Sequence, residues 1–313
     1  MSAGPSRRCF LQGLGAIGAC GALGALAPAA RAQEAKASRL RPVLGRYSLG
    51  MGSNWTTSIT RAEVRHLTPS FRTADSGGAA GPRAPEFEVT LQLSGDQFIW
   101  QWINEALSGR PTLRDGFLDY VGSSNRTTDR VSFFKAMPTR VSLDKLSGAS
   151  KDAPTATIVF SAQASRLDKG GQVIPPPPRP VPVIASNFRM DIPGLDLRDV
   201  VEVSWPEISV SQGATRLGPL KLTTALRGPA GAHPLVQWLS EGLKGAPSAR
   251  SGKIALLDPS LRTELLTCSL AGVRPLSVSM PAADSGQMQR LEAELLVGSM
   301  QFAWHIDGIA RKV

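Results

Sequence analysis

The sequence contains itself twice. Gln101-Trp102-Ile103-Asn104-Glu105-Ala106-Leu107-Ser108-Gly109 aligns without gaps on Gln237-Trp238-Leu239-Ser240-Glu241-Gly242-Leu243-Lys244-Gly245, 136 residues further on, with five of nine positions identical. The same register continues through Pro111/Pro247, Arg114/Arg250, Gly116/Gly252, Ser124/Ser260, Arg126/Arg262 and Thr127/Thr263. A series of matches in one register marks a tandem duplication, so two related units are expected along the chain. Its 313 residues leave room for two domains of ordinary size. The first copy is assigned to residues 40–167 and the second to 184–313. Between them, 168–183 reads as a linker. Gly170-Gly171 leads into four consecutive prolines, Pro175 to Pro178, which can continue neither a helix nor a central strand. As polyproline II, the stretch Pro175 to Pro182 is a stiff spacer spanning at most ~25 Å.

Each copy carries one amphipathic helix. In the first, Phe98, Ile99, Trp102, Ile103, Ala106 and Leu107 fall on one face at helical spacing, with Asp96 as the expected N-cap and Gly109 as a left-handed stop. In the second, Pro234 suits the first turn, Leu235, Trp238, Leu239 and Leu243 form the stripe, and Gly245 ends it. Trp102 and Trp238 are therefore expected in the core, packed on a sheet, rather than stacked on a ligand. Around the helices the period changes to two. Strands are expected at Phe87 to Leu93, Arg130 to Ala136, Arg140 to Leu143, Thr155 to Phe160, parts of Val200 to Val210, Leu265 to Leu270, Leu276 to Ser279, Leu291 to Val297 and Gln301 to Ile306. Many short strands with one helix per copy predict a mainly β protein: two tandem small β-sandwich or barrel domains, each capped by its helix.

Residues 1–32 read as an export signal. Ser6-Arg7-Arg8-Cys9-Phe10-Leu11 resembles a twin-arginine motif, with Arg7, Arg8, Phe10 and Leu11 in place. The uncharged stretch behind it is diluted by glycine, which suits a cleaved signal and leaves no stable membrane span afterwards. Ala30-Arg31-Ala32 offers small residues at the positions a signal peptidase reads. Ile17-Gly18-Ala19-Cys20 loosely resembles a lipid-attachment box, so a lipoprotein anchored through Cys20 is the alternative. The expected location is periplasmic or extracellular. Gly13-Leu14-Gly15-Ala16-Ile17-Gly18 has the letters of a dinucleotide-binding loop, but no strand precedes it and it lies inside the signal.

Chemistry-bearing clusters are scarce. With the signal removed, Cys268 is the sole cysteine; it sits in an alternating strand and reads as a small buried hydrophobe. His66, His233 and His305 lie in separate segments with no carboxylate or cysteine at ligand spacing. No serine elbow or phosphate loop follows the signal. The expectation is a non-enzyme with no cofactor and no metal. The excess of 35 basic over 25 acidic residues is spread along the chain and does not indicate nucleic acid. Arg126, Arg130, Lys135 and Arg140 have two readings, contact with an acidic partner or charges that protect strand edges. Asn54-Trp55-Thr56 and Asn125-Arg126-Thr127 match the glycosylation pattern and are expected as turns.

The second copy runs Phe188-Arg189-Met190-Asp191-Ile192-Pro193-Gly194, then Val201-Glu202-Val203-Ser204-Trp205-Pro206-Glu207-Ile208. The Gln237-Trp238-Leu239 helix follows, and then paired strands from Arg274-Pro275 to Leu291-Glu292-Ala293-Glu294. This order of elements resembles the tail tube proteins of contractile phages and their relatives in bacterial injection systems. The resemblance implies a β-barrel with one helix, stacked as six-fold rings around a hollow tube. Two barrels per chain would then let three chains form a six-barrel ring. The long hairpin such proteins carry between the second and third strands is kept in the first copy around Thr73 to Pro82. In the second copy it shrinks to Ser211 to Arg216, which on length alone would leave that copy without a pairing hairpin. The leading functional expectation is an exported structural protein that self-associates. A monomeric periplasmic or extracellular binding module, with other envelope or extracellular proteins as partners, is the alternative. An enzyme without a recognisable motif comes third.

Overall fold

The computed structural model describes residues 46–65, 67, 84–93, 96–122, 124–174, 183–211, 214–245, 249–284, 286, 288–305 and 311–312. The chain divides into Met1–Pro42, which lies outside those residues, and one compact unit, Val43–Val313. The signal residues Arg7, Arg8, Phe10, Leu11, Cys20, Ala30 and Ala32, the loop 73–82, the prolines 175–182 and His66 all fall outside the described residues.

The first copy comprises β1 (Arg46–Met51), β2 (Asn54–Arg65), β3 (Glu86–Gln92), α1 (Gln97–Leu107), β4 (Arg114–Val121), β5 (Thr127–Leu143), β6 (Leu146–Ser147), β7 (Thr155–Ser161) and β8 (Ala164–Lys169). β8 thus reaches into the range assigned to the linker. The second copy comprises β9 (Phe188–Asp191), β10 (Val200–Ser204), β11 (Ile208–Ser211), β12 (Ala214–Leu217), β13 (Leu220–Ala225), α2 (Pro234–Lys244), β14 (Arg250–Leu257), β15 (Glu264–Ser279), β16 (Arg290–Leu296) and β17 (Ser299–Trp304), with a terminal β18 (Arg311–Lys312). The protein is mainly β, two tandem barrel-like units with one amphipathic helix each. None of the helices among the described residues is long and apolar enough to cross a membrane.

In the first copy the antiparallel order β5-β4-β1-β2-β3-β7 closes on itself through β5–β7 pairing. Closure satisfies every edge inside the barrel, and the alternating faces fill it with Phe87, Phe133 and Phe160, all 0% exposed. The second copy follows the same cyclic order as β10-β13-β16-β15-β14-β9, but among the described residues no β9–β10 pairing matches β1–β2. The pairing registers coincide. Leu118 faces Val131 as Ile254 faces Cys268, and Val131 faces Leu167 as Cys268 faces Phe302. The Glu105–Arg114 ion pair recurs as Glu241–Arg250. Asn125 and Leu261 occupy the same left-handed turn, with φ of 57° and 60°. Gly116 and Gly252 are both compelled by crowding: a Cβ would lie 2.2 Å from the Gly50 carbonyl oxygen in one and 2.9 Å from the Ile192 side chain in the other.

Two pairs of expected strands turn out to be single long ones. Arg130 to Ala136 joins Arg140 to Leu143 as β5, and Leu265 to Leu270 joins Leu276 to Ser279 as β15. Both bend at a proline, Pro138 or Pro275, where the register shifts. A proline lacks the N–H the ladder needs and is tolerated at a bulge, so it redirects the strand without ending it. Asp96 also departs from expectation. It precedes α1, but its carboxylate makes no cap hydrogen bond and instead accepts one from the Thr56 hydroxyl at 2.6 Å. Gly109 is left-handed as expected, at φ 72°. Gly245 follows α2 in extended backbone (φ 176°), a conformation open to any residue.

Candidate assembly interface

The two copies are joined by strands as well as by a linker, and one hydrophobic core runs through both. β11 of the second copy pairs with β5 of the first, Ile208 opposite Val141 and Ser209 opposite Arg140. β6 of the first pairs with β10 of the second, Leu146 opposite Val203. Ile208, Val141, Leu146 and Val203 are all 0% exposed, so these short ladders are dry and anchored. The stretch Ser211 to Arg216, expected to leave this copy without a pairing hairpin, falls at the paired strands β11 and β12, and β11 adds to β5. Only two of its residues need to reach the neighbouring edge, so four-residue strands suffice.

The helix of the first copy completes the junction. Beyond its own core stripe, α1 presents Trp100 and Asn104 one turn apart. Trp100 lies 4.9 Å from the Phe302 ring and 6.2 Å from Trp304, both on β17. Trp205 closes the cluster at 6.0 Å from Phe302. The Asn104 side chain clamps the backbone of Phe302. Its amide nitrogen donates to the Phe302 carbonyl at 2.8 Å, and its carbonyl accepts from the Phe302 N–H at 2.9 Å. One amide side chain thereby satisfies both groups of an edge residue that β15 does not use. The Thr215 hydroxyl of β12 donates to the Ala106 carbonyl near the end of α1.

The junction adds Trp100 to the buried side of α1, whose own core stripe buries Phe98, Ile99, Trp102, Ile103 and Ala106. α2 buries only Leu235 and Trp238; of its expected stripe, Leu239 is half-buried and Leu243 is exposed. Trp102 and Trp238 lie in the core at 0% and 1% exposed. The Trp102 indole donates to the Thr112 carbonyl at 2.9 Å, and Trp238 lies under the Arg250 guanidinium, 5.0 Å from its ring centre. The N-cap of α2 is His233, whose Nδ1 accepts from the Leu235 N–H at 3.3 Å; burial holds its pKa below the ordinary histidine value. His305 bonds the Thr267 hydroxyl at 2.9 Å.

The other residues singled out from sequence are placed apart. Cys268 is a free thiol, fully buried, and burial pushes its pKa upward, away from reactivity. Arg130 forms a two-pronged pair with the fully buried Asp119 at 2.6 and 2.8 Å and lies over the Phe117 ring, so it is already paired on the barrel wall. Arg126 donates to the Gly171 carbonyl, Lys135 takes a left-handed φ of 52°, and Arg140 is exposed on β5. Asn125 sits in its expected turn, while Asn54 opens β2. Among the described residues no group of three or more His, Cys, Asp or Glu is placed to hold a metal ion. Trp100 and Asn104 escaped sequence reading because the repeat drew attention to identical positions. Their counterparts differ, being Val236 and Ser240.

No family model matches the chain, and no curated protein matches it. Among solved structures it is similar to a chain of the sheath–tube complex of the PVC extracellular contractile injection system in its extended state. That match has 14% identity and a TM-score of 0.30, over 39% of this chain and 92% of the other. It is also similar to Hcp1 from Salmonella typhimurium, at 13% identity and TM-score 0.29 over 39% of this chain and 90% of the other. A third is a type VI secretion system effector from Yersinia pestis, at 16% identity and TM-score 0.26 over 37% and 96%.

Proposed function

We propose that the chain is an exported, non-enzymatic structural protein of the tube type, which self-associates into closed rings of three chains with pseudo-six-fold symmetry. The observation that carries this reading is the junction between the copies. It is head-to-tail: the first copy contributes α1 and the open edge of β5, the second contributes β17 and the β11–β12 hairpin. A heterologous joint of this kind leaves a donor face at one end and an acceptor face at the other, and repeating it gives a ring when the rotation closes. Negative-stain imaging of the exported chain tests the reading: rings with six lobes are expected, and a field of isolated two-lobed particles would contradict it. Export is tested separately. Replacing Arg7 and Arg8 together with Lys should hold precursor in the cytoplasm, whereas normal export of that variant removes the twin-arginine assignment.

A monomeric binding module on the same fold is the second reading. What favours it is the absence of an aromatic anchor at Val236 and of an amide at Ser240, so the outward joint lacks the strongest contacts of the internal one.

A further inference from the structure

Resting on the self-association reading, we infer that the outer face of α2 and the free edge of β8 are the two halves of a chain-to-chain joint, and that the joint is built as a weakened copy of the internal one. The occupant of each half is a second copy of this chain. The internal junction shows what covers such a face, because the first copy's version of each surface has its partner in place.

The counterparts follow from the strand registers and the helix alignment. Phe302, 3% exposed beneath Trp100, corresponds to Leu167 on β8, which is 60% exposed. Leu107, half-buried on α1, corresponds to Leu243 on α2, which is 83% exposed. Leu167 thus stands in water at the position where the internal junction buries Phe302, and Leu243 is far more exposed than Leu107. The strand edge repeats as well. Arg140 and Val141 pair with β7 on one side and β11 on the other. Their counterparts Ser277 and Val278 pair with β16, and among the described residues no strand adds on their other side. An unpaired edge beside an exposed leucine is a surface that a second chain can complete.

The weakening is equally specific. Trp100 is replaced by Val236. Asn104 is replaced by Ser240, whose hydroxyl turns back to the Val236 carbonyl of its own helix at 2.8 Å instead of reaching a neighbour's edge. The joint therefore keeps its apolar contact and strand edge but lacks the aromatic anchor and the amide clamp. Chains associate reversibly, while the two barrels within a chain do not part.

The experiment is sedimentation velocity on the purified chain and three variants. Leu243→Asp and Leu167→Asp each spoil one half of the joint and, being at exposed positions, should leave the melting temperature unchanged. Each alone is expected to sediment as a monomer. Mixed in equal amounts they should form two-chain complexes and nothing larger, because one intact α2 face meets one intact β8 edge. The double variant Val236→Trp/Ser240→Asn restores the helix half of the internal chemistry and should tighten association by about tenfold or more, the scale of two net hydrogen bonds. Wild-type oligomers that persist in both aspartate variants would overturn this surface while leaving self-association intact. Failure of the mixture to pair would overturn the head-to-tail arrangement. A wild-type chain that stays monomeric at every concentration removes both this inference and the reading it rests on.

Discussion

His233 shows how one side chain sets a local pH dependence. As N-cap of α2 it accepts a hydrogen bond through Nδ1, which requires the neutral ring. Burial lowers its folded-state pKa below 6.5, with the Asp199 charge opposing. The stability it contributes is therefore present above the ordinary histidine pKa and is lost as pH falls, since protonation removes the acceptor and sets a positive charge against the helix N-terminus. His233→Asn keeps a cap without a titrating ring. Its melting temperature should fall less than that of the wild type between about pH 7 and pH 5. Parallel curves for the two would show that His233 is not the titrating cap. Trp102 makes the complementary case at the core. Fully buried and bonded to the Thr112 carbonyl, it should cost ~3–5 kcal/mol on replacement by Ala, read from chemical denaturation. A loss below ~1 kcal/mol would contradict its place in the core.

At the scale of elements, α1 and α2 are the same helix in two environments, and the difference lies in Asn104 and Ser240. Asn104→Ala removes both bonds to Phe302 at a strand edge covered by a helix, and should cost ~1–3 kcal/mol. Ser240→Ala gives up only a bond within its own helix and should stay within ~0.5 kcal/mol. Hydrogen exchange at the Phe302 amide reports the clamp directly: protection should drop in Asn104→Ala alone, and equal protection in both variants would contradict the assignment. The helices and most strands were legible because each obeys a period, 3.6 or 2, over enough residues to stand out. The continuity of β5 and β15 was not legible. Pro138 and Pro275 read as breaks, and only the neighbouring strands show that they sit at bulges. The junction was hidden for another reason. A repeat advertises what both copies share, whereas Trp100, Asn104 and Phe302 matter because the copies diverge there. The pairing of a hairpin as short as β11–β12 likewise depends on where the β5 edge happens to lie.

At the scale of the molecule, duplication explains both the architecture and the proposed behaviour. One core serves two barrels, with strands of one copy completing the sheet of the other. The same surfaces recur, unpartnered by the internal junction, at α2 and β8. On the proposed reading, a chain built this way pairs a permanent internal joint with a weaker external one. Multi-angle light scattering on the purified chain over a broad concentration range bears on the proposed external joint. The mass is expected to rise with concentration from one chain to a plateau at three, where the proposed ring closes. A mass of one chain throughout would contradict it.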